Sequence, residues 1–434
     1  MIQKNSYNRA FIFLTSLFFL WGFITVLVDS LVPRLKDVFT LTYFQAGLVQ
    51  FAFFGAYFVL SIPAGYILSK IGYKKGIILG LGTMATGCLL FYPAASYRTF
   101  GIFMLAYFVL AGGMTILQVA ANPYVAVLGD ESGASSRLNL SQAFNSLGTA
   151  IAPAIGAMFL LSDTIKTSEE IETLTEVQKQ TYLISEAEAV QSPFLLIAGF
   201  IIVLAIIFVF VQLPKILQKT SKSGYSDLLK KKSLVLGAIG IFVYVGAEVS
   251  IGSYLVSYFL DMDLALAIKN SSFFRNISET ILSNDVYKLD NKAVVGAFVT
   301  FYWSGAMIGR FIGAYLTKIM NPAKVLGYFA IGAVSMILIS MNTTGFIAMI
   351  SILAVGLFNS IMFPTIFSLA IGGLEELKPQ ASGILCTMIV GGAIIPPLYG
   401  FFIDHGGFKK AFILIILCYA YIFFYGNYKR KQVA

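Results

Sequence analysis

Two carboxylates stand inside apolar runs of this sequence, Asp29 toward the end of one and Glu248 in the middle of another, Tyr244-Val-Gly-Ala-Glu-Val-Ser250. An acid at membrane depth is costly, so it normally faces a cavity and marks an ion or substrate path. Asp29 and Glu248 are therefore the candidate ion-coupling groups, with no firm metal site and the neighbourhood of Asp29 open to a cation. Each has a structural alternative. Asp29 could be an interfacial acid that ends its helix, and Glu248 could pair with a helix-end amide.

The uncharged polar residues add a second pattern. Gln142 and Asn145 are three apart, and Ser141 lies four before Asn145, so they share one face of a helix. Gln118 and Asn122 stack in the same way. An amide donates and accepts together, which suits a polyhydroxylated ligand; the alternative role is to join helices by hydrogen bonds. Trp303, Tyr244 and, less so, Trp21 offer aromatic faces for the C–H patches of such a ligand. Asn359 is a comparable amide in a later run. Arg310, in Gly309-Arg310-Phe-Ile-Gly313, could bind an anion, although a gate or a lipid-headgroup contact suits an arginine at a helix end better.

Other chemistry finds no support. Cys88, Cys386 and Cys418 lie in apolar runs without CxxC spacing and read as small hydrophobes. His405, beside Asp404, is expected in a solvated turn with no second ligand for a metal. No Ser/His pair, HExxH or paired catalytic acid is present, so neither an enzyme nor a cofactor is expected.

The elements that must position these residues follow from composition. Apolar residues make up 58% of 434, charged residues 12%, and mean hydropathy is +0.83, which excludes water-soluble folding. Runs of spanning length fall near 10–32, 43–69, 76–96, 100–128, 137–162 and 193–214, then near 233–260, 292–319, 322–341, 344–371, 379–403 and 408–428. The first run is too long for a signal peptide and ends without a small-residue cleavage site, so it is expected to be retained.

The net charge of +9 does not indicate nucleic acid, because the cations sit between apolar runs, where they set orientation. Lys70, Lys74, Lys75, Arg137, the run from Lys215 to Lys232, Lys318, Lys324, Lys378 and the tail Lys429-Arg430-Lys431 all fall on one side. That side is the cytoplasm, so both termini are expected there, in a multi-pass protein of the inner membrane. Segments 163–192 and 261–291, on the other side, are too polar to span. The basic stretch 215–232 divides the chain into six-span halves, 1–214 and 233–434.

Internal repetition supports two halves. Gly65-Tyr-Ile-Leu-Ser-Lys-Ile matches Gly313-Ala-Tyr-Leu-Thr-Lys-Ile, Pro123 matches Pro364, and Gly148-Thr-Ala-Ile-Ala-Pro153 matches Gly391-Gly-Ala-Ile-Ile-Pro396. The three matches occur in the same order on corresponding spans, which indicates a parallel repeat with the substrate path between the halves.

The loop Gly65-Tyr-Ile-Leu-Ser69-Lys70-Ile-Gly72-Tyr-Lys74-Lys75 resembles the second-to-third-span loop of the major facilitator superfamily, with Ser69 where Asp is common. Phe18-Phe-Leu-Trp-Gly22, Ala120-Ala-Asn-Pro-Tyr124, Arg137-Leu-Asn-Leu-Ser-Gln-Ala-Phe-Asn-Ser-Leu-Gly148 and Phe363-Pro-Thr-Ile-Phe-Ser-Leu369 together resemble its fucose-galactose-glucose cation symporter family. The resemblance implies the twelve-helix major facilitator fold. By motif it carries the coupling and binding positions of the fucose-proton symporter onto Asp29, Gln118, Gln142 and Asn145.

At Gln118 an amide replaces the family's second carboxylate, so the glucose/galactose branch fits better than the fucose branch. The implied activity is import of a hexose-like sugar by cation symport with alternating access. With one proton-accepting group missing, sodium is preferred to proton as the coupling ion. The alternative is an uncoupled facilitator or an exporter of another small polar solute. The implied partners are the sugar and membrane lipids, with the chain acting as a monomer.

Overall fold

The computed structural model describes residues 2–38, 43–97, 99–160, 175–214, 216 and 224–433. Nearly all of them are helical, as a bilayer requires: without water, a segment can satisfy its backbone only internally. The helices are α1 (Ile2–Val38), α2 (Tyr43–Ile71), α3 (Tyr73–Tyr97), α4 (Phe100–Val127), α5 (Ala134–Leu160), α6 (Glu176–Phe210), α7 (Lys232–Asp261), α8 (Val299–Ile319), α9 (Pro322–Asn342), α10 (Gly345–Asn359), α11 (Met362–Ile371), α12 (Lys378–Thr387) and α13 (Gly391–Val433). Short helices Leu264–Asn270, Ser272–Leu282 and Asn291–Gly296 join α7 to α8.

Ten stretches among the described residues are long and apolar enough to cross a membrane. One of them, Glu375–Gln432, has the length of two spans, and it is broken inside α13 at Gly407, whose φ of 71° only glycine adopts without strain. With α5, these stretches account for the twelve runs read from the sequence. One expectation needs correction. His405 is not in an open turn but on the helix just before that break, its Nδ1 2.9 Å from the Phe401 carbonyl. The apolar span Gln191–Phe210 is the end of a longer helix, α6, which begins at Glu176, where Thr175 and Gln178 form a reciprocal capping box.

Contacts divide the chain into two compact units. Unit 1 comprises Met1–Gly129, Phe144–Tyr225 and Leu374–Thr387. Its α3 and α4 pack closely, and α6 packs on α3 while α2 packs on both α4 and α12. Ser382 Oγ, on α12, donates to the Val119 carbonyl at 2.9 Å.

Unit 2 comprises Asp130–Ala143, Ser226–Gly373 and Met388–Ala434. In it α13 packs on α7 and α9, and α8 on α10. The start of α5 is held there by polar contacts: Ser135 Oγ lies 2.6 Å from Ser368 Oγ, Ser136 Oγ donates to the Ala314 carbonyl at 2.7 Å, and Asn139 Nδ2 donates to Thr365 Oγ1 at 3.0 Å. A division by chain order at 215–232 and a division by contact thus differ at 130–143 and 374–387, because hydropathy carries no record of such bonds.

The repeat is written in backbone approach. A Cβ at Gly148 on α5 would lie 2.2 Å from the Phe19 carbonyl oxygen of α1, and one at Gly22 of α1 would lie 2.3 Å from the Asn145 carbonyl oxygen. In unit 2, a Cβ at Gly391 on α13 would lie 2.0 Å from the Phe242 oxygen of α7, and one at Gly246 of α7 would lie 2.2 Å from Ile395 Cδ1. Gly148 and Gly391 are the matched glycines of the internal repeat, so each half crosses its first and fifth helices on a small residue, the usual membrane device for close packing.

Gly148→Ala and Gly391→Ala should each lower the stability of the detergent-solubilised protein by about 1–3 kcal/mol through overpacking. Gly82→Ala, where an added Cβ meets nothing within 4 Å, should be neutral in the same thermal melts.

Candidate functional site

The densest buried polar cluster among the described residues lies in unit 2. Tyr244 and Glu248 are one turn apart on α7, and the Tyr244 hydroxyl donates to Glu248 Oε1 at 2.7 Å. On α10, Asn359 is fully buried; its Nδ2 donates to the hydroxyl of Tyr302 from α8, and its Oδ1 accepts from the hydroxyl of Tyr419 on α13. Tyr244, Tyr302 and Tyr419 are all buried, and the last two lie within electrostatic reach of Glu248. Three residues singled out in the sequence, Tyr244, Glu248 and Asn359, therefore come together with two phenols that sequence reading passed over. Nothing in the sequence distinguishes Tyr302 or Tyr419 from the other 21 tyrosines.

Arg310 on α8 supplies the charge opposite Glu248, within electrostatic reach of it. Its position follows from a proline. Pro364 has no N–H to give the carbonyl four residues back, and its ring clashes with that carbonyl, so α10 stops at Asn359 and α11 begins at Met362. The carbonyl so released is that of Ser360, and Arg310 Nε donates to it at 3.2 Å. Arg310 Nη1 reaches the Gln142 carbonyl at 3.5 Å. Arg310 thus caps broken backbone inside the protein; of the two roles expected for it, a gate or a headgroup contact, these bonds do not support the headgroup contact.

The remaining candidates are placed as follows. Trp303 is 49% exposed; its ring meets that of Tyr302 edge-on at 5.1 Å and lies over Gly252 of α7. Gln142 is buried at the start of α5. In unit 1, Gln118 and Asn122 are both buried on α4. Asn145 is partly buried, and its Nδ2 donates to the Phe18 carbonyl of α1 at 2.9 Å, leaving its Oδ1 the atom to consider for a ligand. Asp29 lies on α1, but its side chain falls outside the described residues. No group of three or more His, Cys, Asp or Glu gathers as for a metal among the described residues.

The cluster combines a carboxylate, an amide and phenols buried within apolar helices, groups that can both donate and accept hydrogen bonds. The description Major Facilitator Superfamily matches residues 10–388. The chain belongs to the major facilitator superfamily. It is 48% identical over 427 residues to the glucose/galactose transporter of Brucella abortus, covering 98% of this chain and 94% of that one.

It is 40% identical over 439 residues to the putative glucose/galactose transporter of Helicobacter pylori, at 99% and 100% coverage. It is 34% identical over 442 residues to the L-fucose-proton symporter of Escherichia coli, at 100% and 95% coverage. The crystal structure of the major facilitator transporter FucP in the outward conformation superposes with a TM-score of 0.87 at 33% identity, covering 98% of this chain and 99% of that one. The fold is accordingly the twelve-helix membrane fold of two six-helix halves related by a parallel repeat, and the chain is a transporter rather than an enzyme.

Removing the centre of the cluster should be costly. Asn359→Ala leaves the buried hydroxyls of Tyr302 and Tyr419 without their partner and should destabilise the protein by about 1–3 kcal/mol per orphaned group. Thermal melts of the purified variant check this, and Asn359→Gln should recover less than the full loss because the longer amide cannot meet both phenols in place.

Proposed function

We propose that this protein imports a hexose-like sugar of the glucose/galactose type by cation symport with alternating access, across the inner membrane, with both termini in the cytoplasm and the chain working as a monomer. The observation that carries this reading is full-length similarity of 48% to a glucose/galactose transporter, held together with amides and a carboxylate buried at membrane depth. Gln118, Asn122, Gln142, Asn145, Tyr244, Trp303 and Asn359 are the proposed sugar contacts. Asp29 and Glu248 are the proposed coupling groups.

The halves 1–214 and 233–434, joined by 215–232, are proposed as the moving bodies. The polar contacts of 130–143 in unit 2 and of 374–387 in unit 1 suit segments that part during the cycle. A hydrogen bond exchanged for water costs only about 0.5–1.5 kcal/mol.

Sodium is the proposed coupling ion, on the ground that Gln118 is an amide; a carboxylate supplemented by neutral oxygens suits a hard cation. A second reading, proton coupling, is favoured by the names of the fucose relatives, both L-fucose-proton symporters. One cation falling through 100 mV supplies about 2.3 kcal/mol, and a tenfold sugar gradient costs about 1.4 kcal/mol, so one ion per sugar supports accumulation with either cation.

Uptake of labelled glucose and galactose into proteoliposomes decides among these readings. Accumulation is expected when an inward sodium gradient is imposed and should be lost when potassium or choline replaces sodium. Accumulation driven by a pH gradient without sodium moves the assignment to proton, and equilibration with no gradient dependence makes the protein a facilitator. Asp29→Asn should abolish accumulation while sparing sugar exchange. Gln142→Ala and Asn145→Ala should each weaken apparent affinity several-fold, in line with about 0.5–1.5 kcal/mol per hydrogen bond; wild-type affinity in both would leave them as helix joints.

A further inference from the structure

The segment between α7 and α8 is too polar to span, yet it contains a helix with two apolar faces. Ser272–Leu282 has 11 residues, half the length needed to cross a bilayer. One face docks on the protein: Phe274 stacks on Phe346 with ring centroids 3.9 Å apart and planes 15° from parallel, and Ser278 is buried with its hydroxyl toward the Val294 carbonyl. Beside that face runs a stripe at i, i+4 and i+8, formed by Phe273, Ile277 and Ile281. Phe273 is 66% exposed and Ile281 38%, whereas the residues on the opposite side of the helix, Arg275 and Glu279, are charged.

The stripe is continuous with the surface that the spans present to lipid. Phe346, its docking partner, begins α10, and the next outward residues of that helix, Ile347 and Ile350, are strongly exposed. At the polar edge, Arg275 Nη1 donates to the Tyr287 hydroxyl at 3.2 Å, and the exposed Tyr287 ring in turn hydrogen-bonds the Lys269 carbonyl at 3.0 Å. A cation and an amphipathic phenol are the residues that suit the level where headgroups meet acyl chains. A stripe three side chains long is far smaller than a stable protein interface needs, and its continuity with the lipid-facing spans names the occupant.

We propose that Ser272–Leu282 is an interfacial helix, lying in the membrane leaflet at the carboxyl end of α7 with Phe273, Ile277 and Ile281 dipped toward the acyl chains. It anchors the segment that connects α7, which carries Glu248, to α8, which carries Arg310.

The test is spin-label accessibility in proteoliposomes. Single cysteines are introduced as Phe273→Cys, Ile277→Cys and Ile281→Cys, with Arg275→Cys and Glu279→Cys on the opposite side as the polar controls, after the three buried native cysteines are replaced by alanine. Circular dichroism and retained monodispersity confirm each variant is folded. Lipid-soluble oxygen should relax the three stripe labels several-fold more than a water-soluble nickel chelate, and the controls should show the reverse. Equal access of the chelate to stripe and control positions would place the stripe in water and overturn the proposal. Exclusion of both reagents from the stripe would show it covered by protein, such as a second copy of the chain, and overturns it equally. Neither readout depends on which solute the protein carries.

Discussion

The bilayer core offers no water, so a polar group there must find its partner inside the protein. That constraint connects features that look unrelated in the sequence. Pro364 interrupts a helix and releases the Ser360 carbonyl; Arg310 is brought inward to receive it; and the guanidinium so placed stands within electrostatic reach of Glu248. Glu248 in turn takes the Tyr244 hydroxyl. The same demand holds Asn359 between two phenols. The helix break at Pro364 and the buried carboxylate of Glu248 thus share one polar neighbourhood.

A few buried polar atoms meet no such partner among the described residues: Ser61 Oγ, Asn139 Oδ1 and Gln380 Oε1. Ser61 and Gln380 belong to unit 1, where α2 packs on α12; Asn139 belongs to unit 2, on the segment bonded to α11. These are the contacts made by the two segments that contact assigns away from their chain neighbours. Apolar packing would have left no such orphaned atoms at these junctions. The glycine crossings of α1 with α5 and of α7 with α13 show the opposite character. Backbone there approaches backbone so closely that no side chain fits between.

Much of this was legible in the sequence for a physical reason. Spanning runs are long, so hydropathy counts them; the break at Ser360 follows from Pro364; and the match of Gly148 with Gly391 identified two equivalent crossings before any contact was seen. Glu248 and Asn359 stood out because acids and amides are rare in apolar runs, and Tyr244 only as an aromatic face one turn before the acid. Tyr302 and Tyr419 did not stand out, since in a chain that is 15% aromatic a phenol carries no signal until its hydroxyl finds a neighbour. The inward role of Arg310 was hidden because it depends on a carbonyl fifty residues away in sequence. The polar first turns of α6 were not read as helix because hydropathy marks only the part that is apolar enough to span.

The central claim is that buried polar side chains contact the sugar and do not merely hold helices together. A ligand stabilises the protein that binds it in proportion to RT ln(1 + [L]/Kd), so melting temperature with and without galactose separates the two roles. Wild-type protein should melt higher in the sugar. In Gln118→Ala and Gln142→Ala that sugar-induced rise should shrink or vanish, whatever happens to the melting temperature without sugar. If both variants melt lower but keep the full sugar-induced rise, the polar positions are structural joints and the sugar is recognised elsewhere.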